Sequence, residues 1–257
     1  MFAELSSILN TSPDNFKPGE FILVSDKQTD ASFLIHNFLS FYLRAGCKVC
    51  FLGLVQSFSH YSAISQRLGV SLAQAREKGQ LVFIEGLKEC LGVLLQGESS
   101  KGTRAVDFLR SAVGGGEEWG PPVLLVDDLS VVLSLGVSVG AALDFSHYCR
   151  ATVCSELQGN MVIDDERSER LLRGLIHQSI LILQVQGLPT GYCRDIHGQV
   201  EVCWRGQCDR QQTQKKLFQY KVHDKGASFF CQGDIHSSIA GPALSTKTRE
   251  SYSARQV

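Results

Sequence analysis

The chain has 257 residues, of which 44% are hydrophobic and 20% charged, and its formal net charge is −1. That length and apolar content suffice for one sizeable α/β core, while the near-zero charge excludes a global field drawing the whole molecule to nucleic acid or an anionic membrane, so any RNA contact has to come from a local patch. No run approaches the roughly 20 apolar residues of a membrane span, the Met1-Phe2-Ala3-Glu4 start lacks the basic and apolar regions of a secretory leader, and the nine cysteines are scattered through apolar runs, as suits a reducing compartment; the chain reads as soluble and intracellular, cytoplasmic with a nuclear share.

In chain order, Ala3, Leu5, Ile8 and Leu9 predict a short amphipathic helix that ends at the turn signals Pro13-Asp14 and Pro18-Gly19. Phe21-Ile22-Leu23-Val24 predicts a buried strand. Phe33, Leu34, Phe38 and Tyr42 then recur at helical spacing up to Gly46, a C′ terminator. The alternation continues with a strand over residues 49–55, a helix carried by Tyr61, Ile64 and Leu68, and a short helix opened by the Ser71/Gln74 capping signal. A further strand covers residues 81–84. Residues 96–122 loosen into a surface excursion around Gly114-Gly115-Gly116 and Pro121-Pro122, with only residues 106–113 helical in pattern. Val123-Leu124-Leu125-Val126 then runs into Asp127-Asp128, and a long helix is expected over residues 139–156.

Strands that are apolar throughout and separated by helices predict a doubly wound, mostly parallel sheet with helices on both faces. Residues 180–183, 200–204, 217–222 and 227–230 are short β runs joined by Gly, Asn or Asp turns, and these predict antiparallel strands added at one sheet edge. One domain over residues 1–236 is expected, followed by a polar tail over 237–257 that reads as disordered.

A strand, turn and helix in succession is where a phosphate-binding loop carries G-x-x-x-x-G-K-[ST]. The corresponding residues are Ser25-Asp26-Lys27-Gln28-Thr29-Asp30-Ala31-Ser32. Ser25 and Asp30 stand at the glycine positions, Ala31 at the lysine position, and only the hydroxyl of Ser32 is kept. Glycine allows backbone amides to curl around phosphate in conformations that cost other residues about 1 kcal/mol or more each. Asp30 is instead expected to cap the helix with its own carboxylate. Val123-Leu124-Leu125-Val126-Asp127-Asp128 matches a Walker B-like strand ending in a magnesium ligand, although any apolar strand ending in a turn-capping Asp matches equally well.

Read together, Phe38-Leu39-Ser40-Phe41-Tyr42-Leu43 within residues 36–50, Gln56-Ser57-Phe58-Ser59-His60-Tyr61, Gln80-Leu81-Val82-Phe83 with Glu85-Gly86-Leu87-Lys88, residues 124–131 and 147–154, and Gly191-Tyr192-Cys193-Arg194-Asp195-Ile196-His197-Gly198-Gln199 resemble the Elongator complex protein 6 family over most of the chain. The resemblance implies a RecA-like fold with no working phosphate loop, no catalytic residue and no cofactor. It implies assembly with the fourth and fifth Elongator subunits, and through them the rest of the complex, in a hetero-hexameric ring that engages tRNA. It also implies an accessory role in wobble-uridine modification of the 5-carboxymethyluridine type, whose radical and acetyl-CoA chemistry lies on another subunit. One departure stands out: after Gly159-Asn160-Met161-Val162-Ile163 the family pattern leads to a longer apolar strand and an acidic loop, whereas this chain runs into Asp164-Asp165-Glu166, so a shortened strand is expected.

Other constellations have structural readings beside functional ones. Cys47-x-x-Cys50 flanks a strand start rather than a helix N-terminus and has no second pair, so both are read as buried structural cysteines. Cys193, His197, Cys203 and Cys208 are irregularly spaced for zinc, and no metal site is expected. The RNA-facing candidates are Trp204, Arg205, Arg210, Lys215 and Lys216, with basic side chains for phosphate and an indole for base stacking, although a solvated hairpin loop has the same composition. Two other functions fit the fold class: a nucleotide hydrolase with a divergent phosphate loop and Asp127 on magnesium, and a recombinase-like DNA accessory protein.

Overall fold

The computed structural model describes residues 8–9, 15–27, 29–86, 119–165, 169–191, 193–205, 214–224 and 226–231. Strands β1 (Phe21–Lys27), β2 (Cys47–Gly53), β3 (Leu81–Glu85), β4 (Gly120–Asp127), β5 (Asn160–Asp165), β6 (Leu181–Gln186), β7 (Gly198–Trp204), β8 (Gln214–His223) and β9 (Gly226–Cys231) form one sheet in the order β3-β2-β4-β5-β1-β6-β7-β8-β9. Pairing is parallel from β3 through β6 and antiparallel from β6 through β9. The predicted class is therefore present, with one correction: β6 belongs to the parallel set, since Ile22 to Lys27 pair in register with Leu181 to Gln186. As a short β run bounded by turn residues it reads like the antiparallel runs that follow, but a helix precedes it, and a crossover helix permits a parallel return.

Successive side chains of a strand point to opposite faces. Ile22, Val24, Val123 and Leu125 therefore meet α1 (Ser32–Arg44), α2 (Phe58–Arg67) and α3 (Leu72–Glu77) in one core. Phe21, Leu23, Leu124 and Val126 meet α5 (Val139–Arg150) and α6 (Glu169–Gln178) in the other, behind the single turn α4 (Val131–Ser134). The helix predicted over residues 139–156 is continuous but changes pitch, and Ala151–Glu156 form a π-helical end. Gly46 ends α1 with φ +73°, the left-handed conformation that favours glycine. The Ser71 hydroxyl accepts from the Gln74 amide at 3.3 Å, as the capping signal predicted.

Two expectations fail and one helix goes unpredicted. The excursion ends earlier than predicted, because Gly120, Pro121 and Pro122 already belong to β4; Pro121 has no amide hydrogen for a ladder, and the register with β2 shifts between Cys47 and Lys48. The segment after Met161 is not cut short: β5 has six residues, all buried, between β1 and β4, with Asp164 and Asp165 inside the strand. Its start is clamped by Asn160, whose Nδ2 donates to Lys17 O at 3.0 Å and whose Oδ1 accepts from the Glu20 amide at 3.1 Å. Helix α6 has no counterpart among the predicted elements. Gly174 weakens its helical pattern, yet a Cβ there would lie 2.4 Å from Leu143 Cδ2, so the glycine serves close packing against α5. The tail over 237–257, and most of the excursion, lie outside the described residues.

Candidate functional site

In open α/β sheets, ligands bind beyond the carboxyl ends of the strands. At this end β1 does not stop where a phosphate loop would open. Ser25, Asp26 and Lys27 continue the strand and pair with Gln184, Val185 and Gln186 of β6, and Ser25 is buried between β5 and β6. Only residues 28–31 remain to join Lys27 to Ser32. The N-cap residue is Ala31, one later than expected for Asp30. Asp30 still performs the capping chemistry, because its Oδ1 accepts from the Ser32 amide at 2.8 Å. A carboxylate of the chain therefore holds an amide at the start of α1.

Asp127 ends β4 on the face of Val123 and Leu125, and Asp128 follows across a cis peptide. Both are buried. The Tyr61 hydroxyl of α2 donates a hydrogen bond to Asp127 Oδ2. Burial and the adjacent Asp127 carboxylate together raise the Tyr61 pKa far above its ordinary value, so the phenol stays a donor. Asp128 Oδ1 and Oδ2 accept from the Ser130 amide (2.9 Å) and hydroxyl (2.8 Å), a turn-capping role. Among the described residues, no group of three or more His, Cys, Asp or Glu has a metal-binding arrangement. Tyr61 went unread as a site residue; its signal was a polar tip at a core position of an amphipathic helix, directly after His60.

A cleft of about 640 Å³ opens beside Asp30, between the start of α1, the end of α2 and the tips of β8 and β9. Phe33 and Tyr220 stack in its wall, with centroids 4.8 Å apart and planes inclined by 25°. His36 lines it too and is only 5% exposed. Burial first, then His60, lowers the His36 pKa to about 4, leaving a neutral imidazole at physiological pH. Cys47 and Cys50 are buried, and burial pushes both thiols up to about 12, which keeps them protonated and unreactive.

The basic candidates divide. Arg205 Nη1 donates to Ile176 O in α6 and its amide to Ile180 O, so this guanidinium fastens β7 to the far side of the sheet. Lys215 Nζ contacts Glu201 Oε1 at 2.6 Å. Lys216 Nζ lies 5.6 Å from the centroid of the half-buried Trp204 ring. Arg210 and Cys208 lie outside the described residues.

The family model for Elongation complex protein 6 matches residues 2–116 and 110–224. The chain belongs to the Elongator complex protein 6 family. Members named Elongator complex protein 6 share 64% identity in Danio rerio and 51% in Homo sapiens, each alignment covering 91% of this chain and 98% of the relative. The fold is RecA-like, as the resemblance implied for the Elongator complex protein 6 family. An uncharacterized Pyrococcus horikoshii protein, solved with an unknown peptide, superposes with a TM-score of 0.65 at 14% identity, over 90% of this chain and 98% of its own. A KaiC-like protein of the same organism gives 0.59 at 11%, over 84% and 92%. Among the described residues of this family member, no helix is long and apolar enough to cross a membrane.

Proposed function

We propose that the chain is a non-catalytic structural subunit of the Elongator complex. In this reading it assembles with the fourth and fifth subunits into a hetero-hexameric RecA-like ring in the cytoplasm and nucleus, and that ring engages tRNA in support of wobble-uridine modification. The observation that carries the non-catalytic part is that β1 runs on to Lys27 and α1 starts at Ser32, with the Asp30 carboxylate on the Ser32 amide. A phosphate arriving there meets a like charge and no glycine-built cradle. Tyr61 supports the same reading, since its hydroxyl engages the carboxylate that a magnesium ion would need. The RNA-facing element is the end of the β7–β8 hairpin, with Arg210, Lys215, Lys216 and the Trp204 ring that Lys216 now covers; Arg205 serves the fold.

Two experiments test this. A fluorescent ATP analogue titrated with Mg²⁺ into the isolated chain gives no saturable binding; micromolar affinity abolished by Asp127→Ala would establish the hydrolase alternative instead. Co-expression with the fourth and fifth Elongator subunits yields a stable hexamer containing this chain, and recovery of the chain only as a monomer defeats the ring.

A further inference from the structure

The cleft beside α1 has a lining chemistry that the scaffold reading does not use. Among the described residues its charged lining residues, counting histidine as neutral, are Asp30 and Asp224 against Arg67, two carboxylates to one guanidinium. Phe33 and Tyr220 form its aromatic wall. Burial first, then the Asp30 and Asp26 carboxylates, raises the Tyr220 pKa, so both acidic groups lie close enough to the ring to act on it. Two polar atoms of the lining residues, His36 Nδ1 and Thr29 Oγ1, are buried with no hydrogen-bond partner. Orphaned buried polar atoms beside a cavity of this size mark a place where a ligand group completes the bonding.

An anionic ligand is disfavoured by this lining, and a purely apolar one leaves the carboxylates and orphaned atoms unanswered. We propose that the cleft receives a basic side chain, foremost an arginine, presented by a partner protein. The guanidinium lies over the Phe33 and Tyr220 rings, its five N–H donors meet the Asp30 and Asp224 carboxylates and the orphaned acceptors, and Arg67 on the α2 wall takes carbonyl oxygens of the backbone carrying the side chain. The partner's identity rests on the assembly proposed above; the chemistry of the cleft does not.

The test uses the full chain alone, so that its outcome is separate from that of ring assembly. N-acetyl-arginine amide, titrated by NMR, binds saturably in the millimolar range and shifts the signals of His36 and Tyr220. The uncharged isostere N-acetyl-citrulline amide binds at least about tenfold more weakly, a difference of about 1.4 kcal/mol. Asp30→Asn with Asp224→Asn weakens the arginine probe at least about fivefold, while Asn keeps the helix cap and the melting temperature. A capped Gly-Gly-Arg-Gly-Gly peptide binds more tightly than the amide, and Arg67→Ala removes that advantage. Equal binding of citrulline, binding untouched by the double substitution, saturation by inorganic phosphate or adenosine but not arginine, or a peptide no tighter than the amide would each overturn the proposal.

Discussion

Tyr61→Phe isolates the contact between α2 and the end of β4. The substitution removes one oxygen and opens no cavity, because the ring keeps its packing against Phe51, at 4.6 Å between centroids, and Phe83, at 5.6 Å. What is lost is a buried hydrogen bond donated to an acidic side chain. Hydrogen bonds to charged groups contribute about 1.5–3 kcal/mol, and the desolvated carboxylate that loses a donor dominates the cost. A loss of about 2 kcal/mol in a chain of this size lowers the melting temperature by about 4–8 °C. Urea denaturation measures it directly: the midpoint falls while the slope stays constant, because the surface exposed on unfolding is nearly unchanged. A variant within about 0.5 kcal/mol of the wild type, the range of an ordinary surface substitution, would refute the view that Tyr61 holds Asp127. The same variant gains no affinity for Mg²⁺ and ATP, since freeing one carboxylate restores no phosphate cradle, and its appearance would tell against the non-catalytic reading.

Gly159→Ala destabilises by about 1–3 kcal/mol or more, because the added Cβ lies 2.2 Å from the Pro122 carbonyl oxygen, a backbone atom that moves only with β4; chemical denaturation measures it. Stability falls on acidification through His36, whose folded pKa of about 4 lies below its unfolded value of 6.5. The unfolded state therefore binds the proton first, and the contribution, of order 3 kcal/mol, is present above pH 6.5 and lost between there and pH 4. His36→Phe flattens that part of the stability profile from pH 7 to 4, and an unchanged slope contradicts the assignment. Replacing Arg210, Lys215 and Lys216 together by alanine weakens tRNA binding by the assembled ring and lowers its salt dependence; unchanged affinity at moderate salt removes the β7–β8 hairpin end as a contact.

Much of this protein is decided by local pattern. The apolar runs ending in Val24 and Asp127 specify buried parallel strands because both of their faces are covered, and the 3.6-residue spacing of Phe38 and Tyr42 specifies the helix that covers one of them. The absence of glycine from residues 25–32, and the alanine at position 31 where the motif has lysine, were equally legible, since a phosphate cradle depends on those residue types. Tertiary structure decided the rest. Asp164 and Asp165 end an apolar run and look like a turn, yet pairing with Val24 and Ser25 of β1 carries them into the central strand. Arg205 and Arg210 have the same composition signal for RNA, but folding brings Ile176 to Arg205 and commits it to the sheet. The cleft draws Asp30, Arg67 and Tyr220 from three separate stretches of chain. Its charge and its orphaned atoms exist only once those stretches meet, because desolvation and juxtaposition depend on neighbours in space, which one-dimensional order does not contain.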